Sequence, residues 1–562
     1  MASNWDNLLL VCQLCGFSRY AKRDESSSAS INGKGNRFPL ENESARAYLP
    51  GEEIAEEPLL IDPTRDDPEL HLIYGDDGVV FGRTERGNVA ISVLGLNREP
   101  LKQRRYDALR SFNNLVELYN HSSMSEDLKE ELLRKIKNSL LASAPYAGMK
   151  RQLYSNVVLH TPDKSDAAQK DIAEIEQTLK TAKQFSQEYR EKLSNYSLES
   201  EEGLRTYKTV SRNIKSISLR NIRAIKELDI DFENMSGGVS RWLMLLGENG
   251  TGKSTVLQAI ALTLSGSQYI RDLIKNERFD HTHLVRYGAK SGIIAVQLSG
   301  FTKPFKMFVT KDGLELHSPD GKTTTINKSG TIRGGWQAPT IILAYGATRL
   351  LPRKLGKVSG TKYARIDNLF DPFVALENAK EWLLKRDSRQ FNDAAIILKD
   401  LLSLDDDAYV LKEKEEIYVK IKGSKILLKD LSDGYQTVVA MTVDILSLLS
   451  NIWDNLLNAE GIVLIDELDA HLHPTWQMQI VSSLRQAFKG VQFITSTHQP
   501  LCLRGLKKGE VAVMQRDEEG LVSVETDLPS PGDFRVDQLL TSEFFGMNST
   551  IDPDTEFLFD KY

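Results

Sequence analysis

The strongest constraint on how this chain folds is one continuous segment, WLMLLGENGTGKSTVLQAIALTLSG, at residues 242–266. An apolar run, a glycine-rich loop and a run with helical propensity follow one another, and this order predicts a buried strand, a loop and a helix. The loop at residues 247–254 matches the pattern GxxxxGK followed by Ser or Thr. Its glycines would let the backbone close around phosphate groups, which the positive end of the helix dipole attracts. The segment therefore predicts a phosphate-binding loop in an α/β fold, and we call residues 247–254 the phosphate loop.

The polar residues of the phosphate loop have predicted roles in binding ATP and Mg²⁺. The ammonium of Lys253 would reach the β- and γ-phosphates, and the hydroxyl of Ser254 would be a ligand of Mg²⁺. A chance match in a glycine turn is the alternative, and the flanking strand and helix patterns argue against it. Further contacts to the nucleotide are expected from Gly247, Asn249, Gly250, Gly252 and Thr255.

A second motif, GIVLIDELDAHLHP, would add acidic groups to the same site. Its apolar strand ends in Asp466 and Glu467, which we call the paired acids, and burying ionised carboxylates does not stabilise a fold by itself. Asp466 is predicted to help hold Mg²⁺, and Glu467 to polarise the attacking water. A third strand, VQFITSTHQP, ends at His498. We expect His498 to contact the γ-phosphate, and a structural role is the alternative for a lone histidine.

We call the segment LSDGYQT at residues 431–437 the signature segment. It begins about 35 residues before the paired acids and is followed by an apolar helical pattern. It resembles the LSGGQ signature of ABC ATPases, with Asp433 in place of a glycine and Tyr435 inserted before Gln436. In that family the signature of one protomer covers the γ-phosphate bound to the other protomer. The resemblance gives this role to Ser432 and Gly434. It implies that two ATP molecules are sandwiched in a head-to-tail homodimer or in a higher even oligomer.

Other segments indicate which group of ABC ATPases the chain resembles. ISLRNIRAIKELDIDF is similar to the opening strands of soluble ABC ATPases related to the RecF and SMC-like repair proteins and the OLD nucleases. The signature segment, DELDAHLHP and LLTSEFFGMNSTIDPDTE resemble the ATPase subunit of Septu-type anti-phage defence, which also occurs beside some retrons. The resemblance covers roughly residues 213–562. It implies an HNH-type effector nuclease as partner and, beside a retron, a reverse transcriptase with its nucleic acid.

Residues 1–105, which we call the N-terminal block, resemble a different family. WDNLLLVCQLCG, GNRFPL, EEPLLIDPTRDDPELHLIY and NVAISVLGLNREPLKQRR are similar to the C-terminal part of an HNH endonuclease. Such domains use a histidine base and are often braced by paired CxxC zinc motifs. Of that pattern the chain retains Asn7, Cys12 and Cys15. Gly16 occupies the position after the second cysteine, where such domains usually have Asn or His. Two cysteines cannot close a tetrahedral zinc site alone. We interpret the block as a degenerate docking or structural module, and an intact nuclease completed by a missing segment or a partner is the alternative.

The predicted architecture is an α/β chain with an ABC-type P-loop ATPase domain. Charged segments with apolar positions three and four apart predict a helical linker or brace between the HNH-like remnant and the ATPase domain. The ATPase domain would contain a mixed sheet and an inserted helical lobe. The predicted boundaries are 1–105 for the remnant, 106–205 for the linker, 206–545 for the ATPase domain with its insert at about 265–430, and 546–562 for a tail.

Composition limits where the chain works and what it binds. Three cysteines suit a reducing cytoplasm, and no apolar run approaches the roughly 20 residues of a membrane helix. The net charge of −7 does not indicate a nucleic-acid binder. Residues 347–366 nevertheless hold six basic side chains and no acid, so a nucleic-acid contact and a solvated basic loop are both open. The candidate contacts in this loop are Arg349, Arg353, Lys354 and Lys357.

Three functions remain possible at this point. The first is a defence ATPase that controls a separate nuclease, and the second is a self-contained ATP-regulated nuclease. The third is a DNA-repair ATPase of the RecF or SMC-like type. The absent HNH histidine and Gly16 favour the first over the second. The third is disfavoured because no heptad run is long enough for a coiled-coil arm.

Overall fold

The structure is a computed structural model in which contacts divide the chain into two compact units. The first unit is Met1–Tyr196 with Arg205–Val210, and the second is Ser197–Leu204 with Ser211–Tyr562. The predicted zinc-remnant residues Cys12 and Cys15 lie outside the described residues, as do Arg353, Lys354 and Lys357. The described residues are 19–21, 30–32, 37–42, 46, 56–62, 65–119, 126–141, 144–152, 177–189, 191, 197–210, 212–232, 241–351, 360–402, 404, 408–421, 424–453, 456, 459–470, 472–517 and 519–547.

The described part of the first unit contains two antiparallel hairpins and several helices. Helix α1 (Glu85–Leu94) follows the N-cap Thr84, whose side chain accepts from the amide of Gly87, and precedes the C-cap Gly95. Phe112 on α2 (Glu99–Tyr119) and Ile136 on α3 (Glu126–Leu140) are buried in one apolar cluster, which confirms the helical pattern predicted there. The elements are β1 (Arg19–Ala21), β2 (Ser30–Asn32), β3 (Leu72–Tyr74), β4 (Val80–Gly82), α1 (Glu85–Leu94), α2 (Glu99–Tyr119) and α3 (Glu126–Leu140), and α4 (Glu201–Thr209) contains a boundary between the units.

An antiparallel sheet of seven strands forms one layer of the second unit. Its strands alternate between buried and more exposed residues, as expected where only one face is covered. The predicted strands in IKSISLRNIRAIKELDIDF are β5 (Ile214–Ile222) and β6 (Ile225–Asp231), and they form a hairpin. In spatial order the strands are β12 (Ile332–Arg333), β11 (Thr323–Asn327), β10 (Gly313–His317), β9 (Phe305–Thr310), β8 (Ser291–Leu298), β5 (Ile214–Ile222) and β6 (Ile225–Asp231).

A mixed sheet of seven strands forms another layer, and its strands are parallel except for one antiparallel edge strand. The central strands are buried along nearly their whole length, as in sheets covered on both faces. This sheet confirms the predicted strands before the phosphate loop, the paired acids and His498. In spatial order the strands are β14 (Ala364–Arg365), β13 (Ile342–Tyr345), β18 (Glu460–Ile465), β19 (Gly490–Thr497), β7 (Trp242–Gly247), β20 (Val511–Arg516) and β21 (Val522–Glu525).

The helices and a small third sheet complete the second unit. The predicted helical lobe contains two separate helices at residues 379–384 and 388–401, because Asp387 caps the second helix and accepts from the amide of Gln390. The predicted insert also supplies strands to both large sheets. No described helix has the length and apolar character that crossing a membrane requires. The remaining elements are α5 (Lys253–Leu264), α6 (Ser267–Lys275), α7 (Ala379–Leu384), α8 (Ser388–Leu401), β15 (Tyr409–Glu413), β16 (Glu416–Ile421), β17 (Ser424–Leu427), α9 (Asp433–Leu449), α10 (Pro474–Gln477), α11 (Ile480–Ala487) and α12 (Val536–Leu540).

Helix α5 occupies the space between the two large sheets. It contacts β5, β8 and β9 of the antiparallel sheet and β7, β13, β18 and β19 of the mixed sheet. From Val256 onward nearly every side chain of this helix is buried, which explains why its sequence is apolar on all sides. The layering places the N-terminus of α5 at the end of β7, directly after the phosphate loop.

Gln492 joins the two large sheets through hydrogen bonds inside the core. Its side chain is fully buried on β19, where Oε1 accepts from the amide of Ile214 at 2.7 Å and Nε2 donates to the carbonyl of Ile214 at 3.1 Å. Ile214 begins β5, so these bonds satisfy the backbone of one sheet with a side chain of the other. An apolar residue in place of Gln492 would leave two buried backbone groups without these partners.

We predict that Gln492→Leu lowers the free energy of unfolding by about 2–4 kcal/mol, because each unsatisfied buried group costs roughly 1–3 kcal/mol. The measurement is urea unfolding of the full chain. Gln486→Leu is the matched control, because Gln486 is exposed and exposed substitutions usually change stability by less than about 0.5 kcal/mol. Equal changes in the two variants would show that the bonds of Gln492 do not stabilise the fold.

Candidate nucleotide site

The candidate site lies where three parallel strands end side by side. β18, β19 and β7 are neighbours, with Ile465 paired to Thr495 and Thr497 paired to Leu246. The paired acids, His498 and the phosphate loop follow these strands, so the parallel register brings them to one edge of the sheet. They meet in a pocket of about 270 Å³, lined by Arg223, Ala224, Asn249, Gly250, Gly252, Lys253, Ser254, Thr255, Asp466, Glu467 and His498.

Glycines give the phosphate loop its shape. Gly247 has φ 144°, and a Cβ at this position would clash with the carbonyl oxygen of Met514 on β20. Gly252 has φ 100° and is the residue before α5. L-residues with side chains rarely adopt these angles, so the loop closes over the start of α5 only with glycine there. Gly247 ends β7 and is not among the residues that line the pocket, although it was predicted to contact the nucleotide.

Lys253 is held against the backbone of the phosphate loop. Its Nζ donates to the carbonyl of Gly247 at 2.7 Å and to that of Glu248 at 2.8 Å. Burial lowers the pKa of the Lys253 ammonium, and the nearby carboxylates of Asp466 and Glu467 oppose that decrease. The ammonium of Lys253 is therefore held beside the N-terminus of α5, and a cation next to the positive end of a helix dipole suits the binding of an anion.

A serine on the neighbouring strand orients the paired acids. Ser496 Oγ donates to Asp466 Oδ1 at 2.5 Å and accepts from the amide of Glu467 at 2.8 Å. Glu467 has φ 48°, a left-handed conformation that costs a residue with a Cβ roughly 1–2 kcal/mol. The hydroxyl of Ser254 and the carboxylate of Asp466 line one pocket, and such hard oxygen ligands fit Mg²⁺.

Arg349 is not on the surface, and its prediction as a nucleic-acid contact is wrong. The residue is only 5% exposed. Its Nη2 donates to the carbonyl oxygens of Asp466 at 2.6 Å and Glu467 at 2.7 Å, and its Nε donates to the carbonyl of Gly346 at 3.2 Å. Burial lowers the pKa of the guanidinium to about 10, while the carboxylates of Asp469, Asp466 and Glu467 oppose the decrease. A basic residue in a glycine- and proline-rich stretch is typical of an exposed loop, and nothing in the local sequence indicates that Arg349 binds the backbone carbonyls of the paired acids.

The signature segment forms the start of α9 and is absent from the lining of the pocket. Ser432 is the N-cap of α9, and its side chain makes no capping hydrogen bond. Gln436 Nε2 donates to the carbonyls of Lys429 and Leu431 at 2.9 and 2.6 Å, which holds the turn before the helix. The ring of Tyr435, which departs from the LSGGQ pattern, packs edge-on against Trp476 with centroids 4.5 Å apart. Ser432 and Gly434 therefore do not lie in the pocket of their own chain.

The pocket also contains a cation, Arg223, that no sequence motif indicates. Arg223 lies in the turn of the β5–β6 hairpin, where its guanidinium donates to Gln258 Oε1 of α5 at 2.7 Å. Burial lowers the pKa of Arg223. The sequence indicates the hairpin, but only the packing of the antiparallel sheet against α5 places its turn beside the phosphate loop.

Fold and site together define the class of this chain as a P-loop ATPase of the ABC type. A family model described as "AAA domain, putative AbiEii toxin, Type IV TA system" matches residues 344–504. The chain is 34% identical to the Septu protein PtuA of Bacillus mycoides (strain KBAB4) over 589 residues, 99% of this chain and 77% of that protein. It belongs to the Septu PtuA family.

Other relatives share parts of the chain. It is 24% identical over 398 residues to the Retron Vc95 probable ATPase of Vibrio cholerae, covering 56% of this chain and 77% of that protein. It is also 39% identical over 107 residues to the Septu protein PtuB of Bacillus mycoides, covering 19% of this chain and 32% of PtuB. Among solved structures, the SMC head domain from Thermotoga maritima matches 56% of this chain and 98% of its own, with 14% identity and a TM-score of 0.33.

We predict that Lys253→Ala weakens ATP binding by about a hundredfold or more, because charge-assisted hydrogen bonds to phosphate contribute roughly 1.5–3 kcal/mol each. Isothermal titration with a non-hydrolysable ATP analogue measures this. Lys275→Ala is the control, since Lys275 is an exposed lysine at the end of α6, outside the pocket. Unchanged affinity in Lys253→Ala would contradict the assignment of the phosphate loop.

Proposed function

We propose that this chain is the ATP-binding and ATP-hydrolysing subunit of a cytoplasmic anti-phage defence complex, and that it controls an HNH-type effector nuclease in trans. ATP would be converted to ADP and phosphate in the pocket at the ends of β7, β18 and β19. The observation that carries the proposal is the convergence of the phosphate loop, the paired acids and His498 in one pocket of a Septu PtuA family member.

The residues of the pocket fit separate tasks in ATP hydrolysis. Lys253 and the amides of the phosphate loop would bind the β- and γ-phosphates. Glu467 would accept a proton from the attacking water, and His498 would contact the γ-phosphate. Ser254 and Asp466 would hold Mg²⁺. When bound, Mg²⁺ would neutralise charge on the phosphate oxygens.

The position of the signature segment supports a dimer around ATP. Ser432 and Gly434 are at the start of a 17-residue helix, a place that favours anions, yet the pocket of the same chain does not include them. A second copy of the chain, arranged head to tail, would bring its own Ser432 and Gly434 to this pocket. Each ATP would then be bound between two protomers, and ATP binding would control the association of the subunits.

The similarity to PtuB supports an effector partner. The alignment with PtuA takes in 99% of this chain, so the segment similar to PtuB lies within the part that also aligns with PtuA. A chain that carries both an ATPase site and a PtuB-like segment fits a complex in which related modules associate. A degenerate HNH-like remnant would serve for docking while another protein cuts. The similarity to a retron ATPase is the reason to include a reverse transcriptase with its nucleic acid as a further candidate partner.

We expect Glu467→Gln to bind ATP, to hydrolyse it about a hundredfold more slowly, and to accumulate as a dimer or higher even oligomer. The slower rate follows from loss of the general base, which typically contributes a factor of about 10²–10⁴. Phosphate release and light scattering after gel filtration measure the two effects. Glu525→Gln, at an exposed glutamate on the edge strand β21, is the control and should behave as the parent.

The double variant Glu467→Gln/Ser432→Arg tests the dimer geometry. A bulky cation at the start of α9 would block the approach of the second protomer, so this variant should bind ATP and remain monomeric. A Glu467→Gln protein that stays monomeric at saturating ATP would contradict the sandwich arrangement. Association that Ser432→Arg leaves intact would place the contact between protomers elsewhere.

A nuclease assay on the purified chain separates the trans nuclease from a self-contained enzyme. DNA and RNA substrates would be incubated with divalent metal, with and without ATP. We expect no cleavage in a sample that still binds ATP. Cleavage that disappears when Asn7 and Cys12 are substituted would assign nuclease activity to the N-terminal block and overturn the proposed division of labour.

A further inference from the structure

We propose that Arg349 is a positioning residue for ATP hydrolysis, which holds the turn that presents Glu467 to the reacting phosphate. The proposal rests on the proposed function, because it concerns the same pocket. Arg349 lies four residues after the end of β13, and β13 is the neighbour of β18, which ends at the paired acids. It does not line the pocket, so any effect on the reaction must be exerted through another residue.

The hydrogen bonds of Arg349 fit this role closely. One nitrogen, Nη2, donates to the carbonyl oxygens of both Asp466 and Glu467. In an extended strand successive carbonyls point in opposite directions, so one donor cannot bind two in a row. Both carbonyls face the guanidinium because the chain leaves the extended geometry at Glu467, where φ is 48°. The two bonds are therefore made to the left-handed conformation and stabilise it relative to an extended one.

The surroundings of Arg349 hold its guanidinium in one position. It is buried, and its Nε is bound to the carbonyl of Gly346. Asp469, near the guanidinium, accepts from Thr497 Oγ1 at 2.5 Å, which connects this cluster to the end of β19. A rigid cation between three strand ends can fix the direction of the Glu467 side chain without touching the nucleotide. Positioning errors of about 1 Å can reduce rates by roughly a hundredfold.

Lysine provides the sharpest substitution at this position. Arg349→Lys would retain the positive charge, but a single ammonium on a flexible stem cannot reproduce the planar fork of arginine. We expect this variant to lower kcat by about tenfold to a hundredfold while the Kd for ATP changes by less than about threefold. Arg349→Gln, which retains an amide donor, is the second variant should the lysine protein be poorly folded. Circular dichroism and thermal unfolding would establish that each variant is folded.

The control is Arg485→Lys. Arg485 binds the carboxylate of Glu510 and the carbonyl of Gly505, outside the pocket. This substitution removes an equivalent fork, so we expect some loss of stability, but kcat should stay at the parent value. A similar loss of kcat in both variants would mean that Arg349 acts only through general stability, and the proposal would be wrong.

A double-mutant cycle with Glu467→Gln decides whether Arg349 acts through Glu467. If it does, Arg349→Lys should reduce the residual rate of Glu467→Gln by less than about twofold, because the group being positioned is already lost. Equal fold-losses in both backgrounds would overturn the proposal. An Arg349→Lys protein with the parent's kcat would overturn it while leaving the proposed ATPase function intact. A Glu467→Gln protein with the parent's kcat would overturn this proposal together with the assignment of Glu467 as the general base, although the chain would still be an ATPase.

Discussion

The parallel pairing of β7, β19 and β18 is the constraint on which the site depends. In a parallel sheet the carboxyl ends of neighbouring strands lie together, so residues more than 200 positions apart in the chain become neighbours. The same arrangement requires both faces of the sheet to be covered, and helix α5 covers one of them. Burying α5 between two sheets thus sets the fold and also fixes its N-terminus, with Lys253, beside the paired acids.

Local motifs and local patterns were predictable from the sequence. The phosphate loop, the paired acids and His498 each follow an apolar strand, and the general rule for α/β sheets brings such strand ends together. The hairpin of β5 and β6 and the start of α9 were also predictable, since each depends on periodicity or on a helix-start motif of a few residues. These features have in common that their signal lies within a short stretch of chain.

Features that depend on contacts between distant segments were not predictable. Arg349 and Arg223 are basic residues outside the strands, and nothing nearby in sequence shows that one binds the carbonyls of the paired acids and the other binds α5. The insert was expected to be a lobe, but several of its strands join the two large sheets, because strand order is decided by long-range packing. Gln492 is similar: a polar residue within an apolar strand gives no indication that it pairs with the backbone of another sheet.

A buried hydrogen-bond network connects the paired acids to helix α9, which begins at the signature segment. The amide of Asp466 donates to the carbonyl of Tyr345, and the hydroxyl of Tyr345 donates to the carboxylate of Asp444 on α9 at 2.8 Å. Arg365 also donates to this carboxylate, at 2.5 Å, and Asp444 is fully buried. A buried carboxylate with a full set of partners resists any change in the relative position of the groups that bind it.

Hydrogen bonds through Tyr345 and Asp444 therefore link the end of β18 to helix α9 within one chain. In a head-to-tail dimer of the proposed kind, α9 would face the nucleotide of the partner, while β18 would serve the nucleotide of its own chain. A change at the paired acids would then reach the signature segment, and through it the second site, without passing through solvent-exposed loops. This gives a physical reason to expect the two ATP molecules of such a dimer to respond together rather than independently.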